Sequence, residues 1–527
     1  MQWENWEAWP EHGNQSCYAE SPRDVPCEQG RISLYSARVQ NASQIQEVVR
    51  FAQAHDLRLV VRNSGHDFLG RSSAPGSLQI FTQGMKDIQL VDDFVPKGAP
   101  RGNGEGHAVT IAAGVNLAEL YAAVARHNRT VLGGSSKTVG TAGGYIHGGG
   151  HSPFSTWKGL ASDNALEFEV VTADVSAPSI YHPNHAERDT GSTCNRAPWS
   201  QQTHTKTRTS SGPFEAGGGG TFGVTTSVTI RSFPDVPVVV SNLNITTINS
   251  DPHFWDAFTQ FHAALPALNE AGGSGYYAAI PNLSLNKTSV AAFTATLFFP
   301  ETTDTAAIDR LYGPLLKKLR QIPNVQTQCA SFAMPSMNKV ISQVLLGRIA
   351  AKFDTTGTNS IIGSRLFSKD LLVSKDGPER LTNAWKRIKT PPSSQIIGLV
   401  VGDGAVASNA DKIDSAVHPA WRKAVTQMGF TRGWDANASF TEQHAIIGNM
   451  TDVEIPILRG VEGEENMGAY VNEASPYEPG FQKSFWGENY QKLYAIKKKW
   501  DPKGLFITRL GVGSEDRDDT GVCLRDQ

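Results

Sequence analysis

Apolar and polar positions along the first 235 residues alternate between helical and strand spacing. Residues 43–56 repeat apolar side chains at helical spacing behind a Ser43 cap. A second helix with the same spacing is predicted from Asn116. Strands are predicted at 57–62, 108–113, 130–133, 166–173 and 221–233. Helices mixed with strands in this way predict a first domain of the α+β class.

The segments become longer after Pro234 and Pro237. Helices are predicted at 252–271, 303–321 and 410–428, and strands at 275–281, 289–299 and 395–402. A sheet covered by helices would form a second domain with its own core. An amphipathic helix near the C-terminus stops at Asp501 and Pro502. These changes divide the chain into a leader over 1–26, a first domain over 27–235, a second domain over 236–465 and a C-terminal segment over 466–527.

One segment inside the first domain, 175–213, has neither helical nor strand spacing and is rich in Ser, Thr, Pro and His. A structureless loop of this length is unusual inside a compact domain. The segment therefore predicts either a disordered insertion or peptide that a correct gene model would omit.

Composition and charge exclude several classes of protein. The 527 residues include 48 Lys and Arg against 51 Asp and Glu, and the formal net charge is −3. With 39% hydrophobic and 19% charged residues, wholesale disorder is not expected. The balanced charge argues against a nucleic-acid partner, and no apolar run reaches the roughly 20 residues of a membrane helix. We therefore expect a globular protein that binds neither nucleic acid nor a membrane.

Cysteines and glycosylation sequons bear on the compartment. No CxxC motif or Cys/His cluster occurs, and the odd number of cysteines leaves at least one thiol unpaired or paired between chains. Whether Cys17 or Cys27 takes part in a disulfide is left open. Sequons begin at Asn14, Asn41, Asn128, Asn244, Asn282, Asn286, Asn437 and Asn449. The number of sequons exceeds the roughly three or four expected by chance and predicts a glycoprotein of the secretory pathway or extracellular space. No signal peptide is visible at the start of the sequence.

Three glycine clusters lie in the first domain, at Gly65, 133–150 and 217–223. Glycines after strands let backbone N–H groups approach phosphate oxygens. No cluster fits the Rossmann or P-loop pattern. Any one of them could be a tight turn, but three in one domain favour a phosphate-bearing cofactor.

Other charged or ligand-like patterns have simpler interpretations. His147 and His151 lie four residues apart, but the glycines between them argue against a helical metal site, so no metal is predicted. The pair Asp411 and Asp414, and the lysines 497–499, are interpreted as solvated helix faces.

Several sequence motifs occur together in one order. They are VRNSGHDFLGRS from Val61, SKTVGTAGGYIHGGG from Ser136, GLASDNALEFEVVTAD from Gly159, GGGGTFGV from Gly217, YVNEAS from Tyr470 and NYQKLYAIKKKWDPKGLF from Asn489. On these motifs the chain resembles the berberine-bridge-enzyme-like branch of the vanillyl-alcohol-oxidase flavoprotein superfamily. It is most similar to the fungal FAD-linked oxidoreductases of secondary metabolism. The resemblance covers about 25–174, 216–300 and 390–515.

The resemblance implies a two-domain PCMH-type fold that binds FAD. An antiparallel sheet of the substrate domain would cover the isoalloxazine ring, and the C-terminal segment would return to the FAD domain. His66 matches the histidine that is bonded to the flavin 8α-methyl group. The positions that match FAD-contacting loops are Arg62, Asn63, Ser64, Gly65 and Asp67 in the first loop, Ser136, Gly140, Gly143, Gly144, Gly148, Gly149 and Gly150 in the second, and Gly219, Gly220 and Gly223 in the third.

The chain departs from the family pattern in two places. Many relatives attach the flavin a second time through a cysteine, and Ser136 occupies that position here. Because a hydroxyl cannot form the thioether, a single bond through His66 is implied. The helix and arginine that usually precede the third glycine loop are missing from Gly212 to Ala216. This second departure keeps open the alternative that the chain is a flavin-fold protein without activity.

The resemblance also implies a reaction. Substrate would lose a hydride to FAD while a side chain takes a proton, and molecular oxygen would reoxidise the flavin with release of hydrogen peroxide. Gly134 lies where relatives control oxygen access, and its lack of a side chain favours an open path. The expected substrate is a small molecule, first a secondary metabolite such as an alkaloid and second an alcohol or carbohydrate. The protein is expected to be a monomer.

Glu473 is the best candidate for the catalytic base. Tyr470 and Asn472 keep the frame of the family's Y-x-N-Y segment, whose second tyrosine acts as base in some members, but Glu473 stands in its place. A carboxylate partly desolvated beside the flavin ring would take up a proton more readily. Glu473 could instead only cap the following turn, and the sequence leaves both roles open. Asn472 is expected to orient flavin or substrate, and Tyr470 is the next candidate base.

Overall fold

The computed structural model describes residues 23–24, 26, 29–97, 104–175, 179–181, 216–248, 252–285, 288–349, 359–435, 437–463 and 468–518. The helices are α1 Ala42–Ala54, α2 Leu117–Ala125, α3 Ser155–Lys158, α4 His253–Glu270, α5 Thr305–Leu319, α6 Met337–Lys339, α7 Lys369–Val373, α8 Gly377–Arg387, α9 Gly404–Ser408, α10 Phe440–Asn449, α11 Ile455–Arg459, α12 Phe481–Trp486 and α13 Tyr490–Trp500. Within these ranges no helix is both long and apolar enough to cross a membrane.

The strands are β1 Tyr35–Arg38, β2 Leu59–Arg62, β3 Leu78–Phe81, β4 Ile88–Val91, β5 Ala108–Ala112, β6 Arg129–Thr130, β7 Ala165–Val171, β8 Ser179–Tyr181, β9 Val224–Arg231, β10 Phe233–Pro234, β11 Val238–Ile248, β12 Ser274–Leu285, β13 Thr288–Pro300, β14 Val325–Met334, β15 Ser360–Ser368, β16 Ile396–Val400 and β17 Ala424–Gly433. Of the irregular segment predicted at 175–213, only Val175 and β8 are described. Both Cys17 and Cys27 lie outside the described residues, and Cys329 is a free thiol.

The N-terminal region contains two small sheets and a short antiparallel pairing of β6 with β10. Three parallel strands lie in the order β1-β3-β2, and five antiparallel strands lie in the order β4-β5-β9-β7-β8. Helix α1 packs its buried face against the first sheet. The predicted Ser43 cap is wrong, because the side chain of Asn41 accepts the hydrogen bond from the Gln44 N–H at 3.0 Å. The predicted α+β class is confirmed.

A single antiparallel sheet of seven strands, in the order β14-β11-β13-β12-β16-β17-β15, dominates the second half. Neighbouring side chains on each strand point to opposite faces. On β12, Tyr277 packs among α4 and its aromatic neighbours, while Tyr276 packs on the opposite face beside Tyr470. One face of the sheet is therefore covered by helices and the other closes over the N-terminal region.

The helix predicted at 410–428 is wrong. Residues 419–422 form one 3-10 turn, and the strand β17 begins at Ala424. This strand lies between β15 and β16 and is buried on both faces along most of its length. A continuous apolar run buried on both sides does not show strand alternation, so its spacing alone does not distinguish it from a buried helix.

The C-terminal helix α13 packs back onto the N-terminal region. Lys497, which was predicted to be solvated, is only 2% exposed. Its ammonium group donates to the Thr221 carbonyl at 2.7 Å and to the Asp501 carboxylate at 2.6 Å. Burial lowers the pKa of Lys497. Lys497 lies one turn after Leu493, on the buried face of the helix, so the prediction that it is solvated is wrong.

A buried cluster of charges joins the C-terminal segment to the sheet. The Glu478 carboxylate is fully buried and accepts from Arg365 at 2.6 Å, from Arg459 at 2.6 Å and from the Ser484 hydroxyl at 2.7 Å. Burial alone would raise the pKa of Glu478, but the charges of Arg365 and Arg459 outweigh it and hold the pKa below its usual value.

Glu478→Ala is expected to lower the free energy of unfolding by about 3–5 kcal/mol, since it leaves two buried or half-buried guanidinium groups without their carboxylate. Urea titration followed by tryptophan fluorescence measures the change. Asp414→Ala is the matched control, because Asp414 pairs with Lys492 at the exposed surface at 3.2 Å. Surface pairs contribute about 0–1 kcal/mol. A loss for Glu478→Ala as small as that of the control would show that the cluster does not stabilise the fold.

Candidate functional site

A cleft lies where the three glycine segments meet. Residues more than 150 positions apart in the sequence line it together. The lining residues are Val61, Asn63, Ser64, Gly65, His66, Asp67, Arg71, Ser72, Thr82, Ala113, Val139, Gly140, Ala142, Gly143, Gly144, Tyr145, His147, Gly219, Gly220, Gly223 and Thr225. Eleven of the sixteen predicted FAD-contacting residues are among them.

The first loop leaves strand β2 at Arg62 and turns sharply at Gly65, whose φ is +90°. A side chain is disfavoured there by the backbone conformation. A Cβ at this position would also lie 3.1 Å from Nε of Arg62, whose guanidinium packs under the loop and 4.9 Å from the Phe81 ring centre. Burial lowers the pKa of Arg62 to about 10. Arg62 therefore supports the loop from below and does not line the cleft.

The turn that follows is organised by Asp67. Its carboxylate accepts from the backbone N–H of Ser72 at 3.0 Å and from Nε of Arg71 at 2.9 Å. The other end of the Arg71 guanidinium donates to Oδ1 of Asn472 at 2.9 Å. Asp67 thus holds Arg71 in place, and Arg71 connects the loop to the C-terminal segment.

The glycines of the second and third loops allow close contact between backbones. A Cβ on Gly140 or on Gly143 would lie 2.5 or 2.9 Å from the side chain of Asn63. A Cβ on Gly219 would lie 2.9 Å from Cα of Gly144. The Gly218 N–H donates to the His147 carbonyl at 2.8 Å, which joins the two loops directly. The second and third loops therefore pack backbone against backbone, and the first loop meets the second through the Asn63 side chain.

His66 lines the cleft at the end of the first loop, and its Nε2 lies 2.7 Å from the hydroxyl oxygen of Thr138. This contact brings the segment that contains Ser136 close to His66. Ser136 itself is outside the cleft lining, as are Gly148, Gly149 and Gly150. Gly148 packs against Asn472, since a Cβ there would lie 2.3 Å from its amide nitrogen.

Asn472 braces the second glycine loop. Its Nδ2 donates to the carbonyl of Gly144 at 2.8 Å and lies 2.8 Å from the hydroxyl of Tyr470, and its Oδ1 accepts from Arg71. Protein groups thus occupy both ends of the amide. The predicted role of Asn472 in orienting flavin or substrate stays a prediction.

A second polar group lies beside the cleft, under the sheet. Oε1 of Glu473 is 2.9 Å from Nε2 of His151, and Oε2 accepts from Nε2 of Gln427 at 3.0 Å. The rings of Tyr470 and Tyr276 pack edge-on to His151, with centroids 5.4 and 6.2 Å away. Two of the predicted catalytic residues, Glu473 and Tyr470, therefore lie against His151, and the third, Asn472, contacts the Tyr470 hydroxyl. Sequence reasoning missed the partners His151 and Gln427, because neither carries a local motif for this role.

The arrangement fits the predicted FAD. Glycine backbones line the cleft on three sides, and among the described residues the buried Nη1 of Arg71 has no hydrogen-bond partner. Buried donors of this kind are usually satisfied by a ligand or water. Backbone N–H groups at the glycine loops and the Arg71 guanidinium are suited to the carbonyl and phosphate oxygens of a flavin nucleotide. Within the described ranges, no three His, Cys, Asp or Glu residues are placed to hold a metal ion.

Gly219→Ala is expected to reduce the flavin bound per chain. The added methyl group would push the third loop away from the backbone of Gly144, at a cost of about 1–3 kcal/mol for overpacking. That is about 5- to 150-fold in affinity. The ratio of flavin to protein absorbance after purification measures the effect. Gly313→Ala is the control, since a Cβ there meets nothing within 4 Å. Full flavin content in Gly219→Ala would mean that close contact of the two loops is not needed.

Comparison with known proteins agrees with this geometry. A family model described as FAD binding domain matches residues 34–176, and one described as Berberine and berberine like matches 469–513. The chain is 45% identical to an uncharacterized FAD-linked oxidoreductase of Arthroderma benhamiae over 98% of this chain and 84% of the relative. It is 40% identical to FAD-linked oxidoreductase malF of Malbranchea aurantiaca over 100% of this chain and 83% of the relative. It is 34% identical to flavin-dependent oxygenase ucdF of Aspergillus ustus over 99% of this chain and 89% of the relative.

Solved structures show the same fold. The VAO-type flavoprotein MtVAO615 from Myceliophthora thermophila C1 is 28% identical and superposes with a TM-score of 0.77, covering 94% of this chain and 83% of that one. A second VAO-type flavoprotein of the same organism, MtVAO713, superposes with a TM-score of 0.82 at 24% identity, covering 97% and 86%. The predicted two-domain PCMH-type fold is confirmed.

Proposed function

Because the chain belongs to the berberine-bridge-enzyme-like family of FAD-linked oxidoreductases, we propose that it is an oxidase that removes a hydride from a small organic substrate. When bound, FAD supplies the electron acceptor for the hydride, and molecular oxygen then takes the electrons to give hydrogen peroxide. The observation that carries the proposal is a carboxylate, Glu473, held by two hydrogen bonds beside a glycine-lined flavin cleft.

The residues of the chain divide this work. The three glycine loops and Arg71 hold the cofactor, and Asn472 fixes the second glycine loop through the Gly144 carbonyl. Glu473 takes the proton from the substrate O–H or N–H as the neighbouring C–H bond is broken. Attachment of the flavin through His66 is part of the proposal and is supported by its place in the cleft.

Access of oxygen is proposed near Gly134. A Cβ there would lie 3.6 Å from Tyr145, a residue that lines the cleft, and 3.5 Å from Leu117. Absence of a side chain leaves this approach to the cleft wider. The relative named as a flavin-dependent oxygenase supports the use of oxygen.

The proposed substrate is a secondary metabolite, with an alkaloid first and an alcohol or carbohydrate second. The partly exposed Tyr276, which packs edge-on to His151, offers aromatic surface beside the Glu473 group and would suit an aromatic or heterocyclic molecule. The alternative, a flavin-fold protein without activity, is favoured only by the departure ahead of Ala216, which lies outside the described residues. A monomeric state and secretory passage stay predictions.

An absorbance spectrum of the purified protein, followed by oxygen-electrode assays, tests the proposal. Yellow protein that consumes oxygen and releases hydrogen peroxide with one member of a panel of alkaloids, alcohols and oligosaccharides is the expected result. Yellow protein that is not reduced by any member under anaerobic conditions would favour the inactive alternative. Colourless protein that takes up no FAD would contradict the proposal as a whole.

A further inference from the structure

The Glu473 carboxylate is held by donors on both of its oxygens. His151 contacts Oε1 and Gln427 contacts Oε2, at 2.9 and 3.0 Å. A carboxylate offers about four lone-pair sites, so two are occupied and two are left for a substrate. The side chain of Glu473 is 26% exposed, whereas that of His151 is 10% exposed. Glu473 is thus the accessible member of the group, and His151 lies behind it.

We infer that His151 is a positioning residue for Glu473, present as the neutral imidazole that carries its hydrogen on Nε2. The second ring nitrogen, Nδ1, is buried and has no hydrogen-bond partner in the described part of the chain. A protonated ring would have to place an N–H at that position as well. A buried donor without an acceptor costs about 1–3 kcal/mol, so the local geometry favours an unprotonated Nδ1. The single ring hydrogen then points at Glu473.

The groups packed around this ring fix its position. The titratable groups that face the ring are the Glu473 carboxylate, 2.9 Å from Nε2, and the phenols Tyr145, Tyr276 and Tyr470. Burial raises the pKa of each phenol, so the three phenols add no charge near neutral pH. Arg71 reaches the group only through Asn472. The Tyr145 hydroxyl also donates to the His151 carbonyl at 2.8 Å. Because Tyr145 lines the cleft, the position of His151 is coupled to that of the cofactor.

Gln427 completes the arrangement from the sheet. The residue is 2% exposed and turns its amide nitrogen, not its oxygen, towards Glu473. Two neutral donors orient the carboxylate without adding a positive charge beside it. The inference rests on the proposed function in one respect: the substrate proton goes to a remaining lone pair of Glu473. His151 and Gln427 keep their own hydrogens.

The first experiment needs no substrate. Nitrogen NMR of the purified protein with ¹⁵N-labelled histidine, assigned with His151→Phe, should show Nε2 protonated and Nδ1 unprotonated between pH 6 and pH 9. Glu473→Gln should change the Nε2 signal. A ring protonated on both nitrogens at pH 7, or on Nδ1 alone, would overturn the inference, whatever the outcome for the proposed function.

The second experiment uses the panel compound that reduces the wild-type flavin. His151→Phe keeps a ring between the two tyrosines and removes the donor, so anaerobic flavin reduction should slow at least tenfold with unchanged flavin content. Gln427→Glu places a second carboxylate beside Glu473, and the pair must then share a proton. Its rate should be low at pH 7 and recover as the pH rises.

His253→Phe is the control, since it removes a histidine paired with Asp256 at an exposed helix start. Reduction at the wild-type rate in both His151→Phe and Gln427→Glu would refute the positioning role. If no compound reduces the wild-type flavin, the proposed function fails, and the NMR result alone decides the state of His151.

Discussion

His66→Ala is expected to release all of the flavin into the supernatant when the protein is precipitated with acid, whereas the wild-type pellet should stay yellow. The resemblance implies one covalent bond, through His66, and Ser136 cannot supply a second. His66 lies in the cleft at the end of the first glycine loop, 2.7 Å from Thr138. Flavin absorbance of the pellet and supernatant, compared at equal protein concentration, measures the distribution.

The matched control is His147→Gln, because His147 lines the same cleft and contacts Thr225 at 2.8 Å but is not part of the attachment motif. Its pellet should keep its colour. A yellow pellet from His66→Ala would show that the flavin is attached elsewhere. A colourless wild-type pellet from yellow protein would show that the flavin is bound without a covalent bond.

The three glycine clusters show what sequence can predict about this site. Each cluster follows or precedes a strand, and the physical reason for a glycine is local: a positive φ at Gly65, or a contact between backbones at Gly219. Such requirements are visible in a sequence. That the clusters meet around one cleft depends on strand order, which no local pattern contains, and the family resemblance supplied it.

The errors have a common cause in tertiary packing. The end of the segment 410–428, from Ala424, belongs to β17, whose apolar run is covered on both sides by other parts of the chain and therefore fits a helix as well as a strand. Lys497 was predicted to be solvated, although the carbonyl of Thr221 and the carboxylate of Asp501 surround its ammonium group. His151 was considered only as a metal ligand. Its partner Glu473 is 322 residues away, so no spacing rule could join the two.

Glu473→Gln is expected to slow anaerobic flavin reduction by about 10²–10⁴, the usual contribution of a general base. The substitution keeps the shape of the side chain, so the fold and flavin content should not change. An amide places one N–H₂ group where the carboxylate accepted hydrogen bonds. Gln427 can turn its own amide to present Oε1, which has no partner among the described residues, so the new donor is accommodated. Loss of rate would then report lost basicity.

Stopped-flow reduction under anaerobic conditions, with the compound that reduces the wild type, separates this step from reoxidation by oxygen. Glu442→Gln is the control, since Glu442 caps an exposed helix through Ser439. A decrease of less than about tenfold would place the base elsewhere, with Tyr470 next. Burial, and after it the charge of Glu473, raises the pKa of Tyr470, which makes its phenol a poor base while Glu473 is ionised. Tyr470→Phe should therefore lower the rate less than Glu473→Gln does, and the reverse order would exchange the two roles.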